Sequence, residues 1–157
     1  MKILAENKKA YYNYEILEKF EAGISLIGQE VKSLKTRGVN LAGNYVVLKR
    51  PTEGGYPEVF WVGANIHPYQ PKNAPPDYNP ERSRKLLLKK SEIKYLIGKS
   101  QQRGLTLIPL KLYTTRSGRI KLEFAIARGK KRFDKREQIK KREIEREIKK
   151  ALKENTP

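Results

Sequence analysis

Hydrophobic and polar positions alternate most clearly between Tyr12 and Leu26. Tyr12, Tyr14, Ile16, Phe20, Ala22, Ile24 and Leu26 occupy the even positions, with Glu18 as the single charged member, while Asn13, Glu15, Lys19, Glu21 and Ser25 stand among the odd ones. A period of two predicts a strand with one buried face, and the interruption predicts a bulge near Glu18. Ile27, Val31 and Leu34 then follow at spacings of four and three, which predicts a short amphipathic helix over Gln29–Lys35, stopped by Gly38. Tyr45–Leu48 and Val59–Ile66 read as further strands, joined by the hairpin-like stretch Pro51–Pro57. Five prolines between Pro68 and Pro80 require a surface loop. Ser91 is an N-cap candidate for a helix carrying Ile93, Leu96 and Ile97 and ending near Gly104. Two last strands, with Ile108, Leu110 and Leu112 on one and Ile120, Leu122, Phe124 and Ile126 on the other, flank the turn Arg116-Ser117-Gly118. Glu21 and Lys121 lie off the apolar faces of their strands and are expected to point outward.

Five or six antiparallel strands with inserted short helices, and no long β–α–β alternation, argue against a doubly wound sheet. A small barrel buries one face of every strand and removes exposed edges. The expected fold is mainly β: an OB-like antiparallel barrel of about six strands with two or three short helices, an open α+β sheet being the alternative. From Gly129 onward apolar residues are few; Ile144, Ile148, Ala151 and Leu152 share about a third of a helical circumference, with Ile139 off that stripe. The expected organisation is a body over residues 1–128 and a basic C-terminal tail over 129–157 that is mobile when free and helical when bound to a polyanion.

Charge then narrows the function. The 157 residues include 35 Lys and Arg against 17 Asp and Glu, a formal net charge of +18. Body and tail both contribute, with net +12 and +6, so the excess is not a tail effect. Solubility alone needs a magnitude of only about 2–8; a polyanionic partner is implied, nucleic acid ahead of membrane. The absence of Cys removes thiolate chemistry and Cys-ligated zinc. His67 is the single histidine, beside Pro68, and Asp134 sits among Lys and Arg as a charge-paired acid. No nucleophile–base pair, metal-ligand spacing or Gly-rich phosphate loop is present. The expected protein is a binder and not an enzyme, without catalytic residues, metal or cofactor. With no apolar run of about 20 residues and no leader segment, it is expected to be cytoplasmic and monomeric.

Four basic clusters are candidates for phosphate contact: Asn7-Lys8-Lys9, Lys32 with Lys35 and Arg37, the run Arg82 to Lys90, and Arg128 to Arg136. In the third, Leu86-Leu87-Leu88 is expected to dock on the barrel and fix Arg82, Arg84 and Lys85. In the fourth, six cations surround Phe133, whose ring can stack on an unpaired base.

These pieces converge on a family. Asn7-Lys8-Lys9-Ala10, Phe20-Glu21-Ala22-Gly23-Ile24, Glu30-Val31-Lys32-Ser33-Leu34, Arg84-Lys85-Leu86-Leu87-Leu88, Pro109-Leu110-Lys111-Leu112-Tyr113, Gly129-Lys130-Lys131 and Asp134-Lys135-Arg136-Glu137 run in its order across nearly the whole chain. The chain resembles the SmpB family, the SsrA-binding proteins that partner bacterial transfer-messenger RNA (tmRNA) in trans-translation. The resemblance implies an oligonucleotide-binding barrel that holds the tRNA-like domain of tmRNA. Its tail would enter the vacant messenger channel of a stalled ribosome, near the decoding centre of the small subunit. It implies RNA-binding roles for Glu21, Leu87 and Lys121, with Asn7, Arg84 and Lys85 on the RNA-facing surface. It implies ribosomal roles for Gly129, Lys130, Lys131, Asp134, Lys135 and Arg136. Phe133 stands where family members tend to have His or Tyr. The alternative is a general OB-fold ribosomal or single-strand RNA-binding protein.

Overall fold

A computed structural model describes residues 1–50, 54–130 and 132–154, with residues 132–138 and 152–154 described by backbone alone. Lys131, the side chains of Phe133, Asp134, Lys135, Arg136 and Leu152, and residues 51–53 of the expected hairpin therefore lie outside the described residues.

Seven strands and four α-helices follow the order β1 (Lys2–Glu6), α1 (Lys8–Asn13), β2 (Tyr14–Ile24), α2 (Gly28–Thr36), β3 (Tyr45–Lys49), β4 (Glu58–Val62), β5 (Arg84–Leu87), α3 (Lys90–Ser100), β6 (Leu105–Thr114), β7 (Ile120–Gly129) and α4 (Arg132–Glu154). All pairings are antiparallel. The sheet order is β1-β6-β3-β4-β5-β2-β7, and β6 also pairs with β7. That last pairing closes six strands into a barrel. The seventh, β1, joins β6 along Lys111–Thr114, beyond the point where β3 meets it at Leu107. Ala22, Leu34, Trp61, Leu86, Leu96, Leu122 and Phe124 are among the residues that fill the interior.

The long alternating strand starts two residues later than its pattern implied. Lys8–Asn13 instead forms α1, because Ala10 buries against Ile108, Leu110, Ala125 and Ala127 on the outside of the barrel wall. The expected bulge is present: the β2–β7 register shifts between Ile16 and Glu18. The extra residue switches faces, so Ile16 packs on the outer cluster whereas Phe20 and Ile24 pack on the inner one.

One further expectation changes. Ser91 lies inside α3, and the helix start is satisfied by Glu92, whose carboxylate accepts from the Lys89 N–H at 3.1 Å. Strand β7 runs through Gly129, which pairs with Tyr14, and the Lys130 N–H donates to the Asn13 carbonyl. The tail forms α4, with Ile144 and Ile148 exposed.

The least expected element is β5. Its burial alternates, with Arg84 and Leu86 buried and Lys85 and Leu87 exposed. Arg84 is 0% exposed and faces Glu30 of α2, also 0% exposed. Arg84 Nε donates to Glu30 Oε2 at 2.8 Å, and its Nη atoms donate to the Ala64 and Pro80 carbonyls at 2.8 and 2.7 Å. Arg82 also bonds Glu30 through Nε and Nη2. Tyr78 OH lies 3.1 Å from the same carboxylate and donates to the Ile66 carbonyl at 2.8 Å, and the Ile27 N–H donates to Oε1 at 3.0 Å. The Pro-rich loop, α2 and β5 thus meet at one carboxylate.

Burial alone pushes the Glu30 carboxyl up, but the hydrogen bonds from Arg82, Ile27 and Arg84 outweigh it and hold it below its ordinary range. A depressed carboxyl stabilises the fold above its unfolded-state pKa, about 4.3. That stability is lost as pH falls through the lower native value. Glu30→Ala leaves Arg84 buried and uncompensated, and is expected to cost about 3–5 kcal/mol in urea unfolding. Glu30→Gln should also remove much of the acid-side slope of stability between about pH 5 and 2, which chemical denaturation across that window measures.

Candidate nucleic-acid interface

Strand register places the outward side chains in rows. Gly23 of β2 stands opposite Leu87 of β5 on one side and Lys121 of β7 on the other. Lys121 is in turn opposite Tyr113 of β6, and Tyr113 opposite Ile3 of β1. Directly opposed residues share a face, so Leu87, Gly23, Lys121, Tyr113 and Ile3 form one row across the barrel wall. The next row is Glu21, Glu123, Lys111 and Glu6 by the same pairings. Glu21, Leu87 and Lys121, far apart in sequence, are therefore neighbours.

Glycine in a strand removes a side chain to pack and often marks a close approach. A Cβ at Gly23 would stand 3.5 Å from Leu87 Cβ and Cδ1. Leu87 therefore lies beside the bare Gly23 backbone while remaining 55% exposed, and so does not dock on the barrel as its triplet suggested; Leu86 does. The row divides two concavities. One, of about 890 Å³, is lined by Glu21, Leu87 and five lysines: Lys19, Lys85, Lys89, Lys90 and Lys121. The other, of about 530 Å³, is bounded by Val31, Leu87, Arg119 and Lys121.

The acids of this wall orient its bases. Glu123 lies 3.3 Å from Lys111 Nζ and 3.7 Å from Lys19 Nζ. Lys111 also lies over the Tyr113 ring at 5.7 Å, and Lys19 over the Tyr11 ring at 5.5 Å. Tyr11 and Glu123 raise the Lys19 pKa, so its ammonium stays charged. Burial, and then the hydrogen bond with Glu21, push the Tyr113 hydroxyl up to about 12. Lys85 approaches Glu58 at 3.5 Å. Among the described residues no carboxylate lies within ion-pair distance of Lys89, Lys90 or Lys121, and these three cations remain available to phosphates.

Three candidates turn inward. Arg84 is wholly buried on Glu30 and presents nothing to a ligand. Arg82 is partly exposed, but its guanidinium is committed to Glu30 and the Ser25 carbonyl. Asn7 is buried, with Nδ2 donating to the Pro109 carbonyl at 2.9 Å and its own N–H to the Leu110 carbonyl at 2.8 Å. The β6–β7 register shifts between Pro109 and Lys111, and Asn7 satisfies the two carbonyls at that irregularity. Lys8, Lys9 and Lys32 are exposed but outside the main groove. Lys130 Nζ donates to the Tyr11 carbonyl, tying the end of the body to α1. Lys89 and Lys90 belong to the basic run Arg82 to Lys90 that the sequence marked; sequence reasoning gave no role to Gly23 or Tyr113, of which only the glycine within an alternating strand carried a local signal.

Among the described residues no group of His, Asp and Glu is placed to hold a metal, and no helix is long and apolar enough to cross a membrane. Comparison with known proteins is consistent across its three forms. Residues 4–154 match the family described as SmpB protein. The SsrA-binding protein of Thermosipho africanus is 49% identical over 155 residues, covering 99% of each chain. That of Syntrophobacter fumaroxidans is 50% identical over 147 residues, 94% of this chain and 86% of its own. A solved structure described as "tmRNA-SmpB: a journey to the center of the bacterial ribosome" is similar at a TM-score of 0.62 and 42% identity, over 86% of this chain and 93% of that one.

Two outcomes check the geometry. Glu21→Gln should lower the Tyr113 pKa from about 12 only part of the way to the ordinary tyrosine value of about 10, because burial persists; ring NMR against pH reads it. Leu87→Ala and Lys121→Ala should each change unfolding stability by no more than about 0.5 kcal/mol. In titrations against a tRNA-like RNA at several salt concentrations both should weaken binding, and only Lys121→Ala should reduce the salt slope, by about one.

Proposed function

The chain belongs to the SmpB family, and from that premise we propose that it is an RNA-binding ribosome-rescue factor. It binds the tRNA-like domain of tmRNA and brings it to stalled ribosomes for trans-translation, acting in the cytoplasm. The observation that carries this reading is the outward row of Leu87, Gly23 and Lys121 with Glu21 beside it. An apolar ledge, a bare backbone and a free cation side by side suit a folded RNA, whose riboses and unstacked bases need apolar contact and whose phosphates need charge. This is positioning and not catalysis: the wall offers lysines, carboxylates and one high-pKa phenol, and we read the protein as a binder that leaves chemistry to the ribosome.

The body holds the RNA. The α4 tail, with Gly129, Lys130, Lys131, Phe133, Asp134, Lys135 and Arg136 at or near its start, occupies the messenger channel and the decoding centre. Twelve basic residues against six acidic ones over 129–157 suit a track lined by ribosomal RNA phosphates. The exposed Ile144 and Ile148 match a helix that gains little from packing on its own body.

Removing residues 131–157 tests the division. The truncated protein is expected to keep most of its affinity for the tRNA-like domain and to lose peptide tagging on stalled ribosomes in a reconstituted translation system. Tagging by the truncated chain would contradict the role of the tail. Equal affinity for the tRNA-like domain and for unstructured RNA in competition would instead favour a general RNA-binding protein.

A further inference from the structure

The main groove has a wall that no pairing of sequence motifs brings in. Tyr56, just before β4, lines it together with Lys85, Leu87 and Lys121. Gly54 and Gly55 precede it at φ +78° and +117°, a left-handed turn that residues with a Cβ rarely adopt. The ring of Tyr56 is 45% exposed. Other aromatics of the barrel have their faces or edges occupied: Lys49 lies over Phe60, Lys99 over Tyr95 and Lys111 over Tyr113, and Tyr95 OH bonds Glu18. Among the described residues no ring or ammonium covers Tyr56. An open ring at the rim of a groove lined with lysines is costly to leave in water and gains by stacking on a planar partner.

Resting on the function proposed above, we propose that Tyr56 is a stacking platform for an unpaired nucleobase of the bound RNA, extending the interface from Lys121 and Leu87 across the groove to the β3–β4 connection. The occupant is a base and not a protein side chain because the groove supplies what flanks a base. Lys89, Lys90 and Lys121 are free for the phosphates on either side, and the exposed Leu87 for a ribose. Stacking is tolerant of base identity, so this contact adds affinity with little sequence preference.

The full-length protein and an RNA of the tRNA-like domain provide the test, with Lys121→Ala measured in parallel. Tyr56→Ala is expected to weaken binding by about fivefold or more at an unchanged salt slope, while Tyr56→Phe stays within about twofold of the parent. p-Benzoylphenylalanine placed at position 56 should photo-crosslink to the RNA. An unchanged affinity for Tyr56→Ala, a Tyr56→Phe loss equal to that of Tyr56→Ala, or crosslinks to protein in place of RNA would overturn the proposal. If Lys121→Ala is also without effect, the whole interface falls; if Lys121→Ala weakens binding and Tyr56→Ala does not, only the stacking role falls.

Discussion

One carboxylate sets the geometry of this protein. Glu30 carries its charge in complete burial, and two arginines, a backbone N–H and a tyrosine hydroxyl converge on it. A lone buried carboxylate would be driven to its neutral form, and a lone buried guanidinium would be costlier still, so each is tolerable only with the other. The consequence extends beyond stability. With a strand period of two, a register slip of one residue exchanges the two faces. Anchoring Arg84 inside therefore forces Lys85 and Leu87 outside, beside Gly23 and one strand away from Lys121. The outward row of Leu87, Gly23 and Lys121, proposed above to face RNA, is thus a by-product of a charge pair on the opposite face of the same four-residue strand.

The same division recurs along the chain. Asn7 and Arg84 look like ligands for phosphate, being polar and next to other cations, yet both are spent on the backbone and core. The proposed interface is built from residues that the core does not use: Lys121 and Glu21 off the apolar faces of β7 and β2, and Leu87 off the inner face of β5. Glutamates in the wall, Glu21 and Glu123, cancel little of its charge while holding Tyr113, Lys19 and Lys111 in fixed positions. That arrangement turns a diffuse net charge into an oriented surface, which sets register on a partner as well as attraction to it.

How much was legible depended on the range of the interaction. The bulge at Ile16–Glu18 could be read because a charge broke a period of two, and the barrel could be read because several strands alternated in succession. The outward phase of Glu21 and Lys121 followed from the same periodicity. Strand β5 was hidden by its four-residue length and by a charged side chain on its inner face, since pattern reading assigns charge to solvent. Glu30 pairs with residues 52 and 54 positions away, and nothing local marks it. Asn7 satisfies the carbonyl of Pro109, 102 positions distant. The pairing of Gly129 with Tyr14 and of Lys130 with Asn13 was equally long-range.

On the proposed function, RNA meets the Leu87–Gly23–Lys121 row while the Glu30–Arg84 pair stays sealed behind it. Titrating the isotope-labelled full-length protein with the tRNA-like RNA and following its NMR shifts tests this most directly. Large changes are expected at the Gly23, Leu87 and Lys121 amides and at the Lys121 ammonium, with the Arg84 Nε–H resonance in place and still protected from exchange. Changes centred instead on the Arg84 guanidinium, or on the far wall around Val47 and Leu105, would contradict it.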